Sequence, residues 1–310
     1  MAVFYNTDNL PEFKNAVITI GTFDGVHLGH RVILQEVVRH ANEINGESVL
    51  LTFEPHPRKL LFPDQPLKLL TPLDEKIKLI QAEGIQHIVV VPFTHAFANL
   101  SADEYIGDFL VKLFKPESIV IGYDHHFGHD RKGNINLLKQ DASKYNYSVF
   151  EIPAQLIDEA AVSSTKIRNA LNEGQVSEAA HMLGYNYTLN GTVQKGAQLG
   201  RTINYPTANL LPSGEDQLIP ARGVYAIKVN YNGASYKAML NIGFRPTVSK
   251  ELKLHIEAHI FNFNEDIYGK KIELEFIERL RDEQKFASLD ELKAQLGKDK
   301  ETALNILNQL

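Results

Sequence analysis

Apolar and polar positions along this chain follow two rhythms in succession. In the first, short β-branched runs alternate with longer amphipathic stretches. AVITIGTF at 16–23 precedes a helical pattern over 32–44, and SVLLTF at 48–53 ends at Glu54. HIVVVPF at 87–93 follows a helix that Thr71-Pro72 opens and Gly84 stops. Ser101 and Glu104 form a capping-box pair ahead of DEYIGDFLVKLF, SIVIGYD at 118–124 reads as the next strand, and a helix covers 134–145. YSVFEIPA at 147–154 and two short helices ending near Gly184 complete the series. Strands separated by helices predict a parallel, doubly wound sheet.

After Gly184 the period changes. YTLNGTVQKG, GVYAIKVNYNG, SYKAMLNIGF, KLHIEAHIFNF and KKIELEFIERL are strand-like runs broken by Gly, Pro and Asn turns, which predicts an antiparallel β-barrel. An amphipathic helix from Leu289 to Leu310 closes it. The change of rhythm predicts two domains, residues 1–184 of α/β type and residues 185–310 all-β, and a length of 310 residues suits that division.

Composition narrows the function. The chain has no cysteine, which removes disulfides and thiolate metal sites. Its net charge of -6, with Lys and Arg scattered, lacks the footprint of a nucleic-acid binder. The opening MAVFYNTDNLPEF is unlike a signal peptide, and no apolar run approaches the roughly 18 residues of a membrane span. A cytoplasmic protein acting on small molecules, away from nucleic acid and membrane, is the expectation; self-association stays open.

Chemistry gathers at the ends of the early strands. GTFDGVHLGH, residues 21–30, leaves the first run and enters a helix. Ligands of an open α/β sheet bind there, where helix N-termini offer unpaired N–H groups. Gly21 and Gly25 permit tight turning, Gly29 lets backbone approach a ligand, and His27 and His30 present ring N–H groups to one anion. A plain strand-to-helix turn with two surface histidines is the simpler reading. Against it stand TFEPHPR at 52–58, GYDHHFGHDRKG at 122–133 and SSTKIR at 163–168, all at other strand ends. A serine cap explains Ser163 or Ser164, but not Lys166 and Arg168 just inside a helix N-terminus, where the dipole disfavours cations unless an anion binds. A zinc site from His27, His30, His125, His126 and His129 is disfavoured by their spacing.

These four stretches together resemble the HxGH nucleotidylyltransferase superfamily, and specifically the adenylyltransferase half of the bacterial bifunctional riboflavin kinase/FAD synthetases. The resemblance implies that His27 and His30 act on ATP phosphates, with Gly21, Phe23, Asp24 and Gly29 of the same loop in nucleotide binding. It implies that Ser163, Ser164, Thr165 and Arg168 hold the β and γ phosphates, and that Asp124 and Phe127 lie on the flavin side. The family's signature carries an aromatic and then a basic residue where this chain has His125 and His126.

The barrel half has no GxxxxGK[ST]; GAQLGRT is one residue short and has Arg for Lys. Taken singly, Pro206-Thr207-Ala208-Asn209 reads as a loop, and Glu257, alternating with Ile256 and Ala258, as a solvent-facing strand residue. GRTINYPTAN, NIGFRPT and IEAHIF…DIYG in this order resemble the riboflavin kinase domain, a six-stranded barrel. That implies Mg²⁺-ATP on Thr207 and Asn209, and Glu257 as general base toward the riboflavin 5′-hydroxyl. Gly200, Arg201, Pro206, Asn241 and Arg245 are implied in nucleotide or flavin binding. Asn204 stands where the family has Gly, and Asn tolerates the left-handed backbone better than most residues. Phe62, Phe127, Tyr205 and Phe286 are candidates to stack on the flavin ring. The expected function is phosphorylation of riboflavin to FMN in the barrel, then adenylylation of FMN to FAD in the α/β half. A flavin- or nucleotide-binding regulator, and a nucleotidylyltransferase with another phosphate acceptor, stay as alternatives.

Overall fold

The computed structural model describes residues 1–123, 125–153, 162–196, 200, 203–246 and 252–309, with backbone alone at 245–246 and 252–253. Contacts divide it into two compact units, Met1–Ser164 and Thr165–Leu310.

The first unit is built on a six-stranded sheet in the order β1 (Ala2–Phe4), β4 (His87–Pro92), β3 (Ser48–Glu54), β2 (Val17–Ile20), β5 (Ser118–Gly122), β8 (Ser148–Ile152). All five pairings are parallel. The central strands consist almost wholly of Val, Ile and Leu because both of their faces are covered. Ile18, Ile20, Val49, Leu51, Val89 and Val91 fill one core. Their alternate neighbours Val17, Leu50, Ile88 and Val90 fill the other. The chain winds from β2 through β3 to β4 and then returns to the opposite side of β2 with β5. The loops leaving β2 and β5 therefore flank the point where the winding reverses, the place where such sheets bind ligands.

Helix α1 (Leu28–Glu43) starts ahead of the Val32 that periodicity indicates, because His27 caps it. The short α2 (Pro57–Leu61) follows β3, α3 (Leu73–Ala82) precedes β4, and α4 (His95–Ala98) follows it. The Ser101/Glu104 capping box forms: Ser101 Oγ accepts from Glu104 N at 3.2 Å and Glu104 Oε2 accepts from Ser101 N at 2.8 Å. It opens α5 (Ala102–Glu104), which continues as a π-helix over Tyr105–Val111 and closes as α6 (Lys112–Phe114). A two-stranded ribbon, β6 (His126–Phe127) with β7 (Gly133–Asn134), leads into α7 (Ile135–Tyr145).

The contact division falls within α8 (Ser164–Asn172), so the second unit holds most of α8, α9 (Val176–Leu183) and all that follows. Its core is a closed barrel in the order β10 (Ala208–Pro212), β13 (Leu252–Ile260), β12 (Ala234–Pro246), β11 (Gly223–Tyr231), β14 (Lys271–Arg281), β9 (Thr188–Gln194), antiparallel throughout and closed by β9 on β10. Five of these strands match the strand-like runs of the sequence; the sixth, β10, starts inside the Pro-Thr-Ala-Asn stretch. Tyr225, Ile227, Leu240, Leu274 and Phe276 fill the interior. Ala226, Met239 and Ile277, on the outer face, pack with Ala303 and Leu307 of α10 (Leu289–Leu307).

An ion pair fixes α10 to the barrel. Arg281 Nε donates to Asp299 Oδ1 at 2.9 Å and its terminal nitrogen to Oδ2 at 2.7 Å, and the Asp299 side chain is only 4% exposed. Removing one member of a buried pair strands the other. Asp299→Ala is therefore expected to lower the stability of the second unit by about 3 kcal/mol, read as an earlier urea midpoint; a change below about 0.5 kcal/mol would show that apolar packing alone seats the helix.

Candidate functional site

The loop between β2 and α1 is strained and pinned. Phe23 and Val26 have φ values of 48° and 34°, which L-residues avoid, and Gly25 has 85°. What holds them is a set of buried polar bonds. The Asp24 carboxylate accepts from Leu70 N at 3.0 Å and Thr71 N at 3.1 Å, and Gly25 N donates to Thr71 Oγ1 at 3.1 Å. Asp24 is thus spent on the loop's own backbone partners. Gly21 admits the Phe23 ring, whose nearest carbon would lie 3.0 Å from a Cβ there.

His27 and His30 end up stacked. His27 caps α1, its Nδ1 accepting from His30 N at 3.3 Å, so in the neutral ring the proton sits on Nε2. The two rings lie 3.6 Å apart at 14°, and Phe23 meets His30 edge-on at 5.1 Å. Burial, and then the charges of His27 and Lys76, hold His30 well below the ordinary value of 6.5. It is a neutral ring at pH 7, and its Nδ1 is buried with no hydrogen-bond partner among the described residues. Gly29 is buried in the same first turn of α1.

Three other stretches were expected at this rim. From the second, Thr52 Oγ1 donates to Thr22 O at 3.1 Å, and His56 caps α2 by accepting from Arg58 N at 3.1 Å. From the last, Ser164 Oγ donates to the Asp24 carbonyl at 2.9 Å, joining residues 140 apart in sequence. Ser163, half-buried, precedes it; Thr165, Lys166 and Arg168 stand in α8, in the second unit. In the third stretch Asp124 lies outside the described residues, and His125 N donates to Gly122 O at 3.2 Å. Exposed His126 lies 3.5 Å from Arg131. Phe127 is buried in the core, stacked on Tyr105 at 4.8 Å beneath Gly133, which has no room for a Cβ. Phe62, by contrast, is 50% exposed.

Periodicity did not single out Lys76. On α3 it shares the inward face with Ile77 and Ile80 and is only 6% exposed. Its ammonium donates to Thr22 O at 3.1 Å and to Thr52 Oγ1 at 3.0 Å. Burial pushes its pKa down, and the Asp24 and Glu54 carboxylates push it back up. The readable signal was a lysine at a core-facing helical position.

In the barrel, strand register collects the candidates. Asn209 on β10 pairs with Glu257 on β13, and Glu257 pairs in turn with Asn241 on β12. The three therefore stand side by side on the outer face of the barrel. Glu257 is only 7% exposed, so the solvent-facing alternative for it is excluded. Glycine spacing keeps the row crowded. A Cβ at Gly196 would overlap the Asn209 amide, and one at Gly243 would strike the Glu283 carboxylate and come within 3.2 Å of the Asn241 amide. A small pocket of about 80 Å³ is lined by Pro206, Thr207, Ala258, Phe263, Glu265 and Tyr268, among others. His259, on the same face of β13, donates from Nδ1 to Pro206 O at 2.7 Å and so holds the backbone just before Thr207. Burial keeps this histidine below its ordinary value.

Gly200 O accepts from Tyr205 N at 2.8 Å, closing a turn in which Asn204 takes φ 63°, the left-handed conformation that Asn tolerates. Tyr205 lies 5.1 Å from His259, and Phe286 faces Arg281 at 5.9 Å. Arg201 and the Arg245 side chain lie outside the described residues.

The chain matches two family models in tandem: FAD synthetase over residues 10–166 and riboflavin kinase over residues 183–307. Bifunctional riboflavin kinase/FMN adenylyltransferases are similar along nearly the whole chain. That of Listeria monocytogenes is 38% identical over 291 residues, covering 93% of this chain and 91% of its own. That of Escherichia coli K12 is 36% identical over 300 residues, covering 96% and 95%. A solved chain described as a macrolide-efflux protein of Streptococcus pneumoniae superposes with a TM-score of 0.87 at 32% identity over 98% of both chains.

The neutral His30 has a thermodynamic consequence. Its folded value lies below 6.5, so below that pH the unfolded chain binds a proton that the folded chain does not. The associated stability is complete above pH 6.5 and is lost as pH falls, with a slope of up to about 1.4 kcal/mol per pH unit. Urea midpoints of the first unit measured between about pH 5 and 7 should fall with acidification, and His30→Asn should flatten that slope. An unchanged slope in the variant would mean that His30 is already charged in the folded protein.

Proposed function

The chain belongs to the bacterial bifunctional riboflavin kinase/FMN adenylyltransferase family, and from that premise we propose how its residues divide the two reactions. It converts riboflavin and ATP to FMN, then FMN and a second ATP to FAD and pyrophosphate. The kinase chemistry belongs to the barrel half and the adenylyl transfer to the α/β half. We set the functional boundary at 184/185 and the place of action in the cytoplasm. The efflux description belongs to the pneumococcal chain; among the described residues no helix here is long and apolar enough to cross a membrane.

One contrast carries the assignment of roles: the first loop offers a stack of histidines and an Asp24 already bound by amides, whereas the barrel offers a buried carboxylate, Glu257, between two amide side chains. In adenylyl transfer an oxygen of the FMN phosphate attacks the α-phosphorus of ATP, and the bond from that phosphorus to the bridging oxygen of pyrophosphate breaks. Nucleophile and leaving group are both already ionised, so the site must position them and stabilise charge. His27 and His30 donate N–H bonds to the phosphates, Gly21, Phe23 and Gly29 shape the loop around them, and Ser163, Ser164, Thr165 and Arg168 take the outer phosphates. Asp124 and Phe127 border the flavin, Phe127 by shaping its loop from the core.

In the kinase step the riboflavin 5′-hydroxyl oxygen attacks the γ-phosphorus and the bond to the ADP oxygen breaks. The hydroxyl must lose its proton, and Glu257 takes it. The Thr207 hydroxyl and the Asn209 amide oxygen are hard oxygen donors of the kind magnesium prefers. Bound there, Mg²⁺ would neutralise charge on the phosphates. Asn241, Pro206, Gly200, Arg201 and Arg245 bind nucleotide or flavin around this row.

Two substitutions separate the sites. His30→Ala should abolish FAD formation from FMN while leaving riboflavin phosphorylation nearly intact, and Glu257→Ala should do the reverse. Chromatography of products from riboflavin, ATP and Mg²⁺ reads both. Loss of both products in either folded variant would overturn the division of roles.

A further inference from the structure

The buried ammonium of Lys76 has no part in the roles assigned above. We propose that Lys76 is the positioning residue of the adenylyl-transfer site: held 3.1 Å from Thr22 O and 3.0 Å from Thr52 Oγ1, it locks the loop that presents His27 and His30. The proposal rests on the reading of that loop as the nucleotide site.

The geometry gives three reasons. The loop is strained at Phe23 and Val26, and strained backbone persists only where its surroundings over-determine it. Asp24 and Ser164 hold the loop from Asp24 onward, but its first residue after Gly21 is Thr22, and Lys76 is what grips the carbonyl there. Thr52 closes the clamp, since its hydroxyl donates to the same carbonyl at 3.1 Å while accepting from Lys76. A single ammonium thereby ties the ends of β2 and β3 to α3 on one side of the reversal point.

A buried lysine is also costly to keep for packing alone. Leu or Met at this inward position of α3 would satisfy the neighbouring Ile77 and Ile80 without desolvating a charge. The Asp24 and Glu54 carboxylates partly offset that cost. What the charge adds is a fixed positive field behind a loop meant for phosphates, and it acts on His30, which also faces His27. Burial first, and then His27, hold the imidazole neutral; the Lys76 charge adds to that effect from behind the loop.

The absence of cysteine from the chain makes a charge-specific test practical. Lys76→Met and Lys76→Cys are assayed for FAD formation from FMN and ATP, with riboflavin phosphorylation in the same samples reporting an intact second unit. Part of the Lys76→Cys protein is alkylated in urea and refolded. With 2-bromoethylamine its thiolate displaces bromide and gains an aminoethyl arm, restoring an ammonium; with bromoethane it gains a neutral one. Unsubstituted enzyme passes through the same treatment.

The expected result is a loss of about 10²-fold in kcat for both variants, with KM for FMN and ATP moving far less. The aminoethyl arm should restore kcat to within about threefold, and the ethyl arm should not. The acid limb of the FAD-forming pH profile should shift upward in Lys76→Met and return with the aminoethyl arm. Equal rescue by the neutral arm, or activity of Lys76→Met within about threefold of the unsubstituted enzyme, overturns the proposal. An unsubstituted enzyme that makes FMN but no FAD overturns the nucleotide reading of the loop itself. If Lys76→Met does not fold, the two alkylated forms of Lys76→Cys decide by the same comparison.

Discussion

In each unit a backbone carbonyl is turned inward and held by a buried nitrogen, and the geometry of both sites depends on that contact. Lys76 Nζ grips Thr22 O at 3.1 Å in the first, and His259 Nδ1 grips Pro206 O at 2.7 Å in the second. Each carbonyl lies at the start of a candidate stretch: Phe23 and Asp24 follow Thr22 in the loop that leads to His27 and His30, and Thr207 follows Pro206. Loops at strand ends would otherwise sample many conformations, and a misplacement of about 1 Å is enough to cost a phosphoryl-transfer site most of its rate. A single donor buried beneath the loop removes that freedom more economically than a longer network of surface contacts.

The two reactions make different demands, and the two units offer different groups. Transfer between two ionised phosphates calls for donors that are neutral or positive and for no free base, which suits a buried, uncharged His30 stacked on His27 and an Asp24 saturated by main-chain amides. Phosphorylation of an alcohol calls for a carboxylate within reach, and the register of the barrel sets Glu257 between Asn209 and Asn241. Neither arrangement needs a strongly basic surface, in keeping with a net charge of -6. In the first unit the positive charge is local, carried by the buried Lys76 where screening by salt is weakest.

The expectations from the sequence met limits with identifiable causes. Strand β1, of three residues, is too short to show a period, and β10 hides behind a Pro-Thr-Ala-Asn turn whose residues argue locally for a loop. Helix α1 begins among Gly29 and His30, poor helix formers, because the His27 cap overrides their propensity. The main-chain amides that bind Asp24 and the stacking of Phe127 on Tyr105 come from distant segments, so no local pattern announces them.

The sequence by itself determined the alternation of strands and helices, the change to an antiparallel barrel and the polar stretches at the strand ends, because period and turn chemistry are local properties of the chain. It also carried the order of the motifs, and with it the family. Only the tertiary structure decided which of those polar groups meet: Ser164 with Asp24, Asn209 with Glu257, Lys76 with Thr22. These are contacts across 140, 48 and 54 residues, set by strand order, register and helix rotation together. No local pattern encodes such distances, because it is burial of the whole core that brings the ends of the strands together.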